Sequence, residues 1–108
     1  MRIKQAPETA TMFFFTFTAR PKPGTRRARQ FGGAHVDCWI NFAQYDGAKH
    51  LAKYFIEKNG WIVVRKTNER WVEQKHYKND PEGLTSYLEA EKNGASFTLE
   101  AWPLKAKR

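Results

Sequence analysis

Val36, Cys38, Ile40 and Phe42 alternate with His35, Asp37, Trp39 and Asn41 along residues 34–43. A period of two is that of a half-buried strand, because successive side chains of an extended chain point to opposite faces. One face of this strand is apolar and small enough to lie under a helix. The other carries Trp39 among polar groups and suits water, a ligand or a partner.

Downstream of residue 43 the pattern reads helix, strand, strand, helix, strand. Asp46 is a candidate N-cap for a helix over 46–59, whose apolar stripe is Ala48, Leu51, Ala52, Phe55 and Ile56. Gly60 can adopt the left-handed conformation that ends it. The β-branched run at Trp61–Val64 predicts a strand over 61–67, Asn68-Glu69 a turn, and Arg70–Tyr77 a returning strand. Asp80 and Pro81 open a second helix, predicted over 81–93, because proline suits a first turn that needs no amide hydrogen. Glu82 complements its dipole and Gly94 stops it. Residues 95–102 alternate again, and Pro103 ends that strand. Glu-Lys-Asn-Gly occurs at the end of both helices, at 57–60 and 91–94, although the apolar stripes do not align at that offset.

Upstream, residues 1–9 lack periodicity and read as a flexible arm. Over 11–19, Phe13, Phe15 and Phe17 share one face, and Met12, Phe14, Thr16 and Thr18 the other. Four phenylalanines in one exposed strand would aggregate, so it has to be paired and covered. Residues 20–33, punctuated by Pro21, Pro23, Gly24, Gly32 and Gly33, read as a long loop. The expected fold is therefore α+β, a ferredoxin-like βαββαβ sandwich over residues 10–103. Two helices lie on one face of its sheet, strands 34–43 and 70–77 are central, and 11–19 is an extra N-terminal strand. Residues 104–108 form a basic C-terminal tail.

The net charge of +8 is unevenly placed. Arg20, Lys22, Arg26, Arg27 and Arg29 stand together with no acid among them, and Lys105, Lys107 and Arg108 close the sequence. Those eight account for the whole excess; the other 11 basic residues balance all 11 acidic ones. A neutral body with a basic loop and a basic tail suits an anionic partner, nucleic acid first and an acidic protein surface second.

Other chemistries find less support. The three histidines lack metal-ligand spacing, and the lone Cys38 neither adds a zinc site nor closes an internal disulfide, so neither a metal nor a cofactor is expected. Asp37 stands beside Trp39 on the open face, with Glu73 and Glu100 as carboxylates that could join it, but acid–base work needs a pocket and shifted acidities. No nucleophile elbow, phosphate-cradling loop or dinucleotide motif is present: Phe31-Gly-Gly-Ala leads into a strand. A ferredoxin-like sheet with exposed aromatics is similar in outline to RNA-recognition modules, which place glycines and aromatics at set positions, yet residues 70–77 have no glycine and carry Glu73 in the middle. No apolar run reaches the ~20 residues of a spanning helix. The expectation is a cytoplasmic, non-catalytic binding protein. The open sheet face would carry His35, Asp37, Trp39, Asn41 and Trp102. Two alternatives stand beside it: a protein-interaction or self-associating module (a homodimer) using that open face, and an enzyme or ligand-binding dimer on the same fold.

Overall fold

The computed structural model describes residues 11–104, so the N-terminal arm and the tail residues Lys105, Lys107 and Arg108 lie outside the described residues. The fold is α+β. Strand β1 spans Met12–Pro21, the short helix α1 Arg26–Gln30, β2 Phe31–Asn41, α2 Tyr45–Lys58, β3 Trp61–Trp71, α3 Pro81–Asn93 and β4 Ala95–Pro103; a single 3₁₀ turn, Gln74–Tyr77, precedes α3. The four strands form one sheet in the order β3-β1-β2-β4, and every neighbouring pair is antiparallel.

Three expectations are corrected. First, the phenylalanine-rich strand is not an addition to a sheet centred on 34–43 and 70–77: with β2 it forms the centre of the sheet. Second, the chain does not turn at Asn68-Glu69. β3 runs unbroken along β1 from Pro21↔Trp61 to Phe13↔Trp71, and its departures from period two are bulges near Val64 and Thr67. Residues 70–77 are therefore not a central strand, and the five expected strands are four. Third, the helices lie on opposite faces, so the ferredoxin-like arrangement does not hold.

The reason lies in β1. Phe13, Phe15, Phe17 and Ala19 on one face and Met12 and Phe14 on the other are all buried, which no sheet with one bare face allows. The first set packs under α2 with Val36, Cys38, Ile40, Ala48, Ala52, Ile56 and Trp61. The second packs with Trp39, Val72, Tyr77, Tyr87 and Ala90, so the segment from Val72 through α3 is its cover. That segment leaves the β3 edge after Trp71 and reaches the β4 edge at Ala95, passing over the end of the sheet where β1 begins and β2 ends.

Local signals set the ends. The Gln44 side chain, not Asp46, caps α2 by accepting from the Gly47 amide at 2.6 Å; Asp46 sits in the first turn. Asp80 caps α3 as expected, and Gly94 ends it at φ +93°. Phe42 lies outside β2 and is exposed. Phe55 is half-buried and meets Phe97 edge-on, while Ala48, Ala52 and Ile56 take the innermost line of α2.

Between α2 and β3, Glu69 accepts hydrogen bonds from Tyr45 and Lys66. Burial alone would raise the Glu69 carboxyl, but those two donors outweigh it and hold the carboxyl below its ordinary value. A depressed carboxylate contributes stability above its unfolded pKa and loses it as pH falls through the folded one. Urea midpoints of the native protein should therefore drop between roughly pH 5 and pH 3. Glu69→Gln should be less stable at neutral pH and should converge on the native protein at the acid end. In the core, Phe15→Ala should cost about 3–5 kcal/mol through the cavity it leaves. Phe42→Ala, at the surface, should cost under about 1 kcal/mol. Chemical denaturation of the two variants side by side checks the placement.

Candidate nucleic-acid interface

The cover over the second sheet face is partial, and its limit defines the site. Trp39 lies beneath it: the ring is buried, meets Phe14 edge-on at 4.9 Å, and its indole N–H donates to the Tyr77 hydroxyl at 2.9 Å. Its assignment to the open face is thus overturned, because the indole is better placed as a ceiling-facing core ring with its one donor satisfied. Asn41 is half-buried at the same end, and its amide donates to the Glu91 carbonyl at 3.5 Å. The Ser96 hydroxyl ties β4 to α3 through the Ser86 carbonyl at 2.6 Å.

Beyond Asp37 no described residue covers the face, and this half is called bare in that sense. Strand register puts Thr16, Thr18 and Arg20 of β1 on it, with His35 and Asp37 of β2, Thr98, Glu100 and Trp102 of β4, and Arg65 and Asn68 of β3. Thr16 donates to Asp37 at 2.7 Å. The six-membered ring of Trp102 lies over Gly33, where a Cβ would stand 2.3 Å from its Cζ2. Only glycine lets the indole lie down there. His35 stands beside it, ring centres 5.0 Å apart. Where the bare face meets the first turn of α3, a polar hollow of about 300 Å³ has Phe14, Asp37 and Arg70 in its wall, and the Arg70 guanidinium lies 5.0 Å from the centre of the Phe14 ring.

The loop joining β1 to β2 borders this bare end. It is shorter than 20–33: Arg20 and Pro21 belong to β1, residues 26–30 are helical, and Phe31–Gly33 belong to β2. Thr25 caps α1 by accepting from the Ala28 amide at 3.2 Å. The five basic residues of segment 20–29 divide. Arg27 is committed to the fold: Nη1 donates to the Asn59 carbonyl at 2.6 Å, and the guanidinium sits 5.3 Å from the Trp61 ring centre. A cation at the carboxyl end of α2 also answers the helix dipole. Arg20, Lys22, Arg26 and Arg29 are exposed and make no side-chain hydrogen bond or ion pair among the described residues.

Arg65, Asn68 and Arg70 escaped the sequence reading. The bulge near Thr67 breaks their period, which hides that they share a face with Arg20. The signal was the run Arg65–Arg70, polar at every position, directly after the apolar residues 61–64.

The opposite face holds a cleft of about 450 Å³ between α2 and β4, walled by Phe31, Phe55, Trp61, Phe97 and Leu99 with Arg27 at its rim. Cys38 is fully buried and desolvation pushes its thiol far up, so it is a core group. His35 and His76 do not meet: His76 accepts the Glu73 amide at 2.9 Å and lies against Trp71. Among the described residues no cluster of three or more histidine, cysteine or acidic side chains is arranged to hold a metal, and no helix is long and apolar enough to cross a membrane. Compared with protein-family models, curated proteins and solved structures, the chain matches none.

The division within the loop is testable by thermal or urea unfolding. Arg27→Ala should destabilise by about 1–2 kcal/mol, losing a charge-assisted hydrogen bond and a ring contact. Arg26→Ala and Arg29→Ala should stay within about ±0.5 kcal/mol.

Proposed function

We propose that this protein is a non-catalytic binding module for a phosphate-bearing chain, with nucleic acid as the partner. The observation that carries the reading is the pair Arg20 and Arg65. They are exposed diagonal neighbours on the bare half of the sheet, and neither has a hydrogen-bonded or ionic side-chain partner among the described residues. Two unpaired guanidiniums side by side repel one another, and a phosphate placed between them relieves the repulsion while using their planar forks. Lys22, Arg26 and Arg29 are exposed in the segment that joins β1 to β2, at the same end of the sheet. Lys105, Lys107 and Arg108 follow β4, which ends at this border, and we include them in the binding surface. An acidic protein surface answers the same charge but offers no regular row of anions.

The test is a salt series of fluorescence anisotropy on labelled oligonucleotides. Arg20→Ala with Arg65→Ala should lower the dependence of log affinity on log salt by roughly 1.4 for a single strand or 1.8 for a duplex, if both arginines neutralise phosphate. Their unfolding midpoint should not move. Binding that is absent at low salt, or a slope identical to the native one, rejects the reading.

A second reading rests on β4. Among the described residues its outer edge has no partner strand, and Phe97 and Leu99 beside it are exposed. The opposite edge, β3, carries two bulges and the charges Arg65, Lys66, Glu69 and Arg70, features that discourage edge pairing. Self-association would therefore use the β4 edge, not the bare face. A sedimentation mass that falls on Leu99→Lys would favour it.

A further inference from the structure

We propose that the bare half-face takes a single strand, lays its phosphates along the β3–β1 side and stacks a base on Trp102. This rests on the nucleic-acid reading and names the form of the ligand.

Three observations lead to it. The charge of the face is divided across the strands: Arg20 and Arg65 stand on β1 and β3, whereas Glu100 and Asp37 stand on β4 and β2. A phosphate backbone is attracted to the first side and repelled by the second. Its bases then point toward β2 and β4, where carboxylates can accept from exocyclic amino groups.

The aromatic surface lies on that base side. Trp102 is half-buried and reclines over Gly33, and His35 is its neighbour at 5.0 Å. A ring lying along a sheet, with a second ring beside it, is the platform on which unpaired bases stack without regard to sequence.

The third observation is shape. The first turn of α3 rises beside Asp37 and Thr98, a barrier about one helix diameter, roughly 10 Å, in height. A floor beside such a wall admits a thin strand and holds off a rigid duplex. Among the described residues nothing on the floor protrudes as the helix or β-ribbon that enters a major groove.

The experiment measures affinities of the full chain for a twelve-nucleotide strand, the matching duplex, and the same strand with abasic positions. The native protein, Trp102→Leu and Trp102→Phe are compared. The strand should bind at least tenfold tighter than the duplex. Trp102→Leu should weaken the strand by roughly 5- to 150-fold with the salt slope unchanged, and Trp102→Phe should recover most of that loss. Because Trp102→Leu also removes the cover of Gly33, the abasic strand serves as a control that leaves the protein intact. It should bind the native protein as weakly as the normal strand binds Trp102→Leu. Equal affinity for strand and duplex, or full affinity for the abasic strand, overturns this inference and leaves the phosphate reading standing. Absence of salt-sensitive binding to any of the three removes both.

Discussion

Burial of β1 on both faces is the constraint on which the architecture depends. A strand whose alternate side chains are Phe13, Phe15 and Phe17 on one side and Met12 and Phe14 on the other has no face to give to water. Each ring removed from water is worth about 1.5–3 kcal/mol, so leaving either set exposed would cost a large part of a small domain's stability. The strand has to sit inside the sheet, flanked on both edges and covered above and below. β2 and β3 supply the flanks, α2 one cover, and the segment from Val72 through α3 the other.

The second cover is short, and the candidate site is what it leaves. β1 itself changes character along its length on that face, from Met12 and Phe14 to Thr16, Thr18 and Arg20. Among the described residues the apolar part is roofed and the polar part is not. Trp39 and Trp102 illustrate the boundary: both belong to that face, but one is roofed and hydrogen-bonded to Tyr77, whereas the other lies at the bare end over Gly33. The exposed cations Arg20 of β1 and Arg65 of β3 gather where the roof stops. The candidate surface is thus left by the same hydrophobic gradient that directs the packing.

The basic loop shows how like charges acquire unlike roles. Arg27 and Arg29 both lie on the short helix α1, yet Arg27 closes the carboxyl end of α2 while Arg29 has no such partner among the described residues. Composition treats them alike. Their difference arises because α1 sits next to Asn59 and Trp61, positions more than thirty residues away along the chain.

Much of the local structure was legible without coordinates. The proline–aspartate start of α3, the glycine stops at Gly60 and Gly94, the alternation of β2 and β4, and the need to cover the phenylalanine strand all follow from short-range chemistry. These features concern one turn or one strand, and the residues that cause them are neighbours. The bulges in β3 were not legible, because an extra residue in a ladder shows only against its partner strand, and their effect was to make one strand look like two. Nor could the side of the sheet chosen by α3 be read, since period two states that a strand has two faces but not what lies over each. Sequence by itself determined which residues need burial and where helices stop. Only the tertiary structure decided that β1 is central, that Trp39 is roofed, and that Arg20 and Arg65 come together, because those outcomes depend on pairing between segments far apart in the chain.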